Sequence, residues 1–135
     1  MVYYHGTTKA WLPSILKDGL KPVAANAWMV KSSLTGIDLR EDEELGWVYI
    51  TTEKRRAEQF ANAKVEYLSQ KPGQESSVFY EIKDKGAPII HTSPVVLKVS
   101  LPEGYHLIRD VRDDETISFK YHGSIPASCI TVVEG

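Results

Sequence analysis

The chain has 135 residues, of which 42% are apolar and 25% charged, and this is enough apolar material for one hydrophobic core. Its formal net charge of −2 argues against nonspecific binding to nucleic acid or to an anionic membrane. The single cysteine, Cys129, excludes an internal disulfide, suits a reducing compartment and is expected to be a small buried residue. No apolar run reaches the roughly 20 residues that a membrane-spanning helix needs. We therefore expect one cytoplasmic domain over residues 1–135 with no membrane partner.

The first third of the chain predicts a strand, a helix and a long connection. Val2 to Tyr4 are typical of a short strand, and the run "WLPSILKDGL" has apolar residues at helical spacing. Because proline is tolerated only in the first turn of a helix, Pro13 indicates a start near Trp11, and Gly19 indicates the end. Residues 21–45 have no sustained periodicity and predict a long loop.

The middle of the chain predicts a strand followed by a longer helix. The segment "GWVYITT", residues 46–52, is rich in β-branched and aromatic residues and indicates a strand. Thr52 can cap the next helix, whose apolar residues recur at helical spacing as far as Leu68. Lys71, Pro72 and Gly73 then form a helix-ending signal.

The rest of the chain consists of short apolar runs separated by turn residues. These runs cover residues 77–82, 88–92, 95–101, 117–121 and 129–133. A strand, a helix, a long loop, a strand, a helix and then successive strands indicate an α+β fold with a mostly antiparallel sheet.

Most common catalytic and binding motifs are absent from the sequence. The chain has no glycine-rich phosphate loop, no GxGxxG motif, and no pair of cysteines or histidines at metal-ligand spacing. The segment His5-Gly6-Thr7 remains, in "YYHGTT", which we interpret as a turn that ends the first strand and exposes both backbone and imidazole. Tyr49 in the second strand and Phe60 on the helix behind it complete the candidate set.

Three segments of the sequence, taken in order, carry a family resemblance. "YHGTT", residues 4–8, is followed by a helix and "GL"; Tyr49-Ile50-Thr51-Thr52 is followed eleven positions after the tyrosine by Phe60; and the chain closes with "YHGSIPASCI". This pattern resembles the ADP-ribosyltransferase fold, in the PARP-like, diphtheria-toxin-like branch. The resemblance implies a split antiparallel sheet with two helices flanking an NAD cleft.

The resemblance also implies a role for each matching residue. His5 would hydrogen-bond the adenosine ribose of NAD, and the backbone of Gly6 would hold the nicotinamide carboxamide, with Thr7 adding a hydroxyl. Tyr49 and Phe60 would present their ring faces to the cationic nicotinamide. The implied reaction transfers ADP-ribose from NAD, as substrate, to an unidentified protein, nucleic-acid or small-molecule acceptor and releases nicotinamide. The small size is similar to that of a bacterial or phage effector.

The sequence departs from the family pattern at two positions. Many active members carry a glutamate on a late strand before the "IP" segment, and counting back from this segment reaches Ser118. A serine offers hydrogen bonds but no negative charge to a cationic transition state, so Glu115, beside Asp113 and Asp114, is the alternative residue for this role. The family's serine eight positions after the tyrosine is replaced by Ala57.

Three functions therefore stay open at the level of sequence. The first is an active ADP-ribosyltransferase completed by Glu115 or Ser118. The second is a catalytically silent module that binds NAD, ADP-ribose or a related nucleotide. The third is an enzyme similar to the RNA 2′-phosphotransferases, which share the fold and need basic residues around a phosphate. The cluster Lys54, Arg55 and Arg56 could meet an anionic ligand, although a solvated helix face explains it as well.

Overall fold

The computed structural model describes residues 1–22, 47–74, 88–110 and 116–133. These residues form six β-strands, two α-helices and one turn of 3₁₀-helix. The elements are β1 (Val2–Thr8), α1 (Leu12–Asp18), β2 (Trp47–Thr51), α2 (Lys54–Ser69), β3 (Pro94–Ser100), β4 (Ile108–Arg109), β5 (Ser118–His122), the 3₁₀ turn (Ala127–Cys129) and β6 (Ile130–Val132). The predicted α+β class is confirmed.

The six strands form one open antiparallel sheet in the order β4-β5-β2-β1-β3-β6. Strand β1 pairs with β3 along its whole length, from Val2 opposite Ser100 to Thr8 opposite Pro94. It pairs with β2 at one position only, Tyr4 opposite Thr51. The sheet therefore consists of two three-stranded halves, β4-β5-β2 and β1-β3-β6, which are joined at this one pair.

One face of the sheet holds the main hydrophobic core. Its buried members are Tyr3, Leu20, Val48, Ile50, Val95, Leu97, Val99, Leu101, Ile125 and Ile130. Helix α1 packs against this core through Leu12 and Ile15. The segment after α1 is tied to the segment before the 3₁₀ turn by paired backbone hydrogen bonds of 2.9 Å between Leu20 and Ile125. The core therefore holds both halves of the sheet and α1 together.

Helix α2 packs against the opposite face, and its closest approach to the sheet is at Gly6. A Cβ atom on Gly6 would lie 2.0 Å from the carbonyl oxygen of Ala57 and 2.8 Å from the amide nitrogen of Ala61. These neighbours are backbone atoms of the helix, so no side-chain rotation can make room. Glycine in β1 and alanines on the facing side of α2 therefore determine how closely helix and strand pack.

The first helix follows its sequence signals. Trp11 is the N-cap residue and the proline lies in the first turn, as Pro13 predicted. Gly19 is the C-cap residue with φ of +83°, a conformation that residues with a Cβ rarely adopt.

Two local predictions next to the candidate site are wrong. His5-Gly6-Thr7 is not a turn, because all three residues lie inside β1 and have partners on β3. Thr52 does not cap α2: Glu53 is the N-cap residue and makes no side-chain cap hydrogen bond. The hydroxyl of Thr52 lies instead 3.4 Å from the carbonyl oxygen of Ile117, in the segment leading to β5. In both places, hydrogen bonds to distant segments of the sheet replaced the predicted turn and the predicted helix cap.

Two further differences concern the second half of the chain. Residues 88–92, predicted as a strand, are irregular and are held by the hydrogen bond from Ile90 N to Leu68 O, of 2.8 Å. The two-residue edge strand β4 was not predicted, because it is too short to show alternation. The predicted strand at 77–82 and nearly all of the predicted loop at 21–45 lie outside the described residues. Within the described ranges, neither helix has the length and apolar character needed to cross a bilayer.

We predict that Gly6→Ala destabilises the domain by about 3 kcal/mol or more, because overpacking here meets backbone rather than a movable side chain. Gly104→Ala is the control: a Cβ there meets no atom within 4 Å, and only its φ of +103° opposes the change, at about 1–2 kcal/mol. Urea unfolding followed by tryptophan fluorescence measures both variants. Equal losses would show that the contact with α2 does not constrain residue 6.

Candidate functional site

His5 links the two halves of the sheet just beyond the point where they separate. Its Nδ1 atom lies 2.7 Å from the backbone carbonyl oxygen of Tyr49, on β2. Because a carbonyl oxygen can only accept a hydrogen bond, we assign the proton to Nδ1. In the neutral ring, Nε2 is then a hydrogen-bond acceptor.

The surroundings keep the His5 imidazole neutral. Burial, together with the nearby Lys64 ammonium, lowers the pKa of His5 to about 3, although the hydrogen bond to Tyr49 favours the protonated form. At neutral pH the ring therefore offers one donor, already used within the fold, and one acceptor. This arrangement suits recognition of a hydroxyl group, and it does not suit binding an anion through His5.

Lys64 brings a positive charge into the same place from the other side. It lies on α2, and its Nζ atom donates a hydrogen bond to the carbonyl oxygen of Gly6. Burial lowers the pKa of Lys64 to about 8, so the ammonium form still predominates at pH 7. We use the name His5–Lys64 cluster for these two side chains together with the carbonyl groups of Gly6 and Tyr49.

The cross-strand register places Tyr49 on the sheet face that α2 covers. Thr51 lies opposite Tyr4, which shares a face with Gly6, and Tyr49 shares a face with Thr51 because side chains alternate along a strand. Phe60 lies on α2, one turn before Lys64, so these two side chains share a side of the helix. Tyr49 and Phe60 are both half-buried. The structure thus brings the two predicted stacking residues to the elements that border the His5–Lys64 cluster.

Thr7 and Ser118 are also placed by the sheet. Thr7 is buried, lies opposite Val95 and shares its face with His5. Ser118 is the first residue of β5, is buried and lies opposite Thr51, on the face of Tyr49. The predicted late-strand position therefore lies on the face that α2 covers, opposite to the face of His5 and Thr7, and its side chain is a hydroxyl. Glu115 and its acidic neighbours at 113 and 114 lie outside the described residues.

A second lysine lies on this face, two residues after Ser118. Lys120 is opposite Tyr49 on β5 and is 5% exposed. Its Nζ atom lies 4.7 Å from the ring centroid of Trp47, within the range of a cation–π interaction. Sequence reasoning did not identify Lys120 as part of the site, because alternation along "ISFKY" does not show which face is covered by a helix.

The three basic residues at the start of α2 have different environments. Lys54 is exposed and lies 3.8 Å from Glu58, an i,i+4 ion pair on the helix surface, and Arg55 is exposed. Arg56 is buried, at 9% exposure. Lys54 and Arg55 therefore lie on a solvated face of the helix, and Arg56 does not. Arg56, Phe60 and Lys64 follow one another at intervals of four residues, so the sequence already indicated that they share one side of the helix.

Metal ligands are not grouped in the part of the chain that the structure describes. Within it, no group of three or more histidine, cysteine, aspartate or glutamate residues could hold a metal ion. The candidate residues are instead a neutral imidazole, two aromatic side chains, a hydroxyl and two lysines, and the buried carboxyl group of Asp110 lies on the segment that pairs with Ser118. Comparison of the chain with protein-family models, with curated proteins and with solved structures found no match.

We predict that His5 makes the domain less stable in acid. Between pH 6.5 and about 3 the unfolded chain binds a proton on this ring that the folded chain does not, so the free energy of unfolding falls as pH falls. The expected loss between pH 6.5 and 4 is on the order of 2 kcal/mol. His5→Asn keeps a donor for the Tyr49 carbonyl but does not titrate, so its unfolding free energy should depend less on pH.

The measurement is urea unfolding at intervals from pH 4 to 7. His91→Asn serves as the matched control, since His91 is exposed in the segment before β3. The control should follow the wild-type dependence on pH. If His5→Asn also follows it, the buried imidazole does not determine acid stability.

Proposed function

We propose that this domain binds NAD in the cleft where β1 and β2 separate and transfers ADP-ribose to an acceptor, releasing nicotinamide. The observation that carries the proposal is the hydrogen bond from His5 Nδ1 to Tyr49 O. It holds a neutral imidazole at the division of the sheet, with Nε2 as the acceptor that a ribose hydroxyl requires. The residue that the family resemblance assigns to the ribose thus has the proton state that this role needs.

The architecture supports the same function. The two halves of the sheet meet at a single residue pair, as a split sheet requires, and α1 and α2 lie on opposite faces. Phe60 lies on α2 and Tyr49 on β2, so the two aromatic rings belong to separate elements. Two rings on separate elements can enclose a planar heterocycle between them.

The reaction breaks the bond between C1 of the ribose and the ring nitrogen of nicotinamide, and the electron pair leaves with nicotinamide. The acceptor's oxygen or nitrogen then bonds to C1 and loses a proton. The ribose carries positive charge in between, so the site must hold it in place and exclude water. We assign the positioning of the adenosine ribose to His5 and the hydrogen bond near the reacting ribose to Ser118. Glu115 is the candidate for a negative charge beside that ribose.

A nucleotide-binding module without catalysis is the second candidate, and the buried face of β5 favours it. The late-strand position holds the hydroxyl of Ser118, which supplies no negative charge. A hydroxyl group does not offset the positive charge of a developing ribosyl cation as a carboxylate would. In this case the cleft would bind NAD or ADP-ribose without cleaving it.

Nicotinamide release from NAD distinguishes the two candidates. We expect release by the wild-type domain in the presence of cell lysate as a source of acceptors, and His5→Ala should weaken NAD binding by about 1–3 kcal/mol. His91→Ala is the control and should leave binding unchanged. Saturable NAD binding without release would contradict the transferase and favour the module. No binding by the folded protein would contradict both.

Ser118→Glu tests the role assigned to the late strand. A carboxylate at this position would stabilise the ribosyl cation, so we expect at least about a ten-fold rise in the rate of nicotinamide release. Ser118→Gln, of the same shape and without charge, should not raise the rate. A fall in both variants with folding intact would show that Ser118 itself makes the required contact.

A further inference from the structure

Lys64 is a charged side chain that α2 brings to the backbone of Gly6. Its Nζ atom donates a hydrogen bond to the Gly6 carbonyl oxygen. Ala57 and Ala61, whose backbone lies directly against Gly6, have no polar side-chain atom. Lys64 is half-buried, so the fold does not enclose it completely. The helix therefore presents an ammonium group beside Gly6, and the reaction described above does not yet use it.

Gly6 borders the gap between β1 and β2. The two strands pair at Tyr4, and continuing the same register by two residues would set Gly6 opposite Tyr49. The described ladder ends before this position, and the Tyr49 carbonyl oxygen lies 2.7 Å from Nδ1 of His5. The Gly6 carbonyl oxygen accepts from Lys64. Lys64 thus lies at the edge of the gap in which we place the ligand.

The Gly6 carbonyl oxygen and the Lys64 ammonium group offer an acceptor and a donor side by side. A carbonyl oxygen has two lone pairs, so it can accept a second hydrogen bond while it accepts from Lys64. An ammonium group has three N–H donors, so Lys64 can donate to a ligand while it donates to Gly6. We use the name Gly6–Lys64 pair for these two groups.

A primary carboxamide is complementary to the Gly6–Lys64 pair. Its NH₂ group can donate to the second lone pair of the Gly6 carbonyl while its oxygen accepts from Lys64. An acetyl group of the same size keeps the oxygen but has a methyl group in place of NH₂, so it has no donor for Gly6. The pair therefore favours a carboxamide over an acetyl group.

The charge of Lys64 has opposite effects on the binding of NAD and on its cleavage. The pyridine ring of NAD is positively charged, so a nearby ammonium group opposes binding. When the bond to ribose C1 breaks, the electron pair goes to the ring and nicotinamide leaves as a neutral molecule. The repulsion then falls, and the carboxamide oxygen becomes a better acceptor for Lys64. An interaction that strengthens as the bond breaks raises kcat.

We propose that Lys64 is a catalytic residue: it binds the carboxamide oxygen of NAD, beside the Gly6 carbonyl that accepts from the NH₂ group, and it promotes the departure of nicotinamide. This rests on the proposed function, in which the backbone of Gly6 holds the carboxamide. The electron pair of the broken bond leaves with nicotinamide, the acceptor bonds to C1 and loses its proton, and Lys64 keeps all of its protons.

The test is steady-state nicotinamide release by the full chain at pH 7, with cell lysate as the source of acceptors and the rate of lysate alone subtracted. Lys64→Met removes the charge and the donors, and we expect kcat to fall about ten- to a hundred-fold while KM stays the same or falls. Lys64→Arg keeps a charged donor and should recover most of kcat.

Lys98→Met is the matched control, since Lys98 is an exposed lysine on β3, opposite Tyr4. It should have the kcat and KM of the wild type. Thermal unfolding confirms that each variant is folded.

A comparison of two substrates tests the wild-type protein without any substitution. The second substrate is the analogue of NAD with an acetyl group in place of the carboxamide, which lacks the donor for Gly6. We expect kcat/KM for NAD to exceed that for the analogue by at least about ten-fold. Equal values would overturn recognition by the Gly6–Lys64 pair and leave the proposed function standing.

The remaining outcomes separate this proposal from the proposed function. A folded Lys64→Met variant with wild-type kcat overturns the role of Lys64, and so does a variant in which only KM rises. If the folded wild-type protein releases no nicotinamide from NAD, the proposed transferase fails and the role of Lys64 fails with it.

Discussion

The contact between Gly6 and helix α2 is the constraint on which the rest of the site depends. Strand β1 can lie directly against the backbone of Ala57 and Ala61 because no side chain stands between them. This close approach brings the next turn of the helix over β1, where Lys64 reaches the Gly6 carbonyl. A larger residue at position 6 would move the helix away and separate Lys64 from His5. The packing of the helix and the charge near His5 therefore both depend on Gly6.

The second constraint is the single residue pair between β1 and β2. If these strands paired along their whole length, the carbonyl of Tyr49 would be occupied by a backbone amide, as in other antiparallel ladders. Because they separate after Tyr4 and Thr51, the imidazole of His5 supplies the missing donor instead. The gap in the sheet thus gives His5 its tautomer, whereas burial and the nearby Lys64 ammonium lower its pKa. The side chain of His5 therefore makes a structural hydrogen bond and is also a candidate binding group.

The late strand β5 differs in its charged residues from the family pattern that the sequence resembles. The pattern leads us to expect a glutamate on the late strand, whereas this strand holds Ser118 and Lys120. The buried carboxyl group of Asp110 belongs to the neighbouring segment, whose backbone pairs with Ser118. The order and spacing of His5, Tyr49 and Phe60 are the basis for proposing a nucleotide ligand.

Much of the fold was readable from local signals. Pro13 and Gly19 mark the first helix because their backbone restrictions act within one turn, and the β-branched run before Thr52 marks β2 for a similarly local reason. The turn proposed at His5-Gly6-Thr7 was wrong because full pairing with β3, some ninety residues later in the chain, outweighed the turn preference of one glycine. Arg56 was read as part of a solvated helix face because a charged side chain is usually exposed, and only its burial in the folded domain could show otherwise.

The sequence by itself determined the fold class, both helices and most of the described strands, and it supplied His5, Tyr49 and Phe60 as candidate site residues. These follow from backbone preference and from spacing along the chain, which are local properties. Tertiary structure alone decided that β1 and β2 separate after one pair, that Gly6 touches the helix backbone, and that His5 is neutral near the Lys64 ammonium. These features depend on which distant atoms meet and how much water they exclude, and such contacts leave no regular pattern in a sequence.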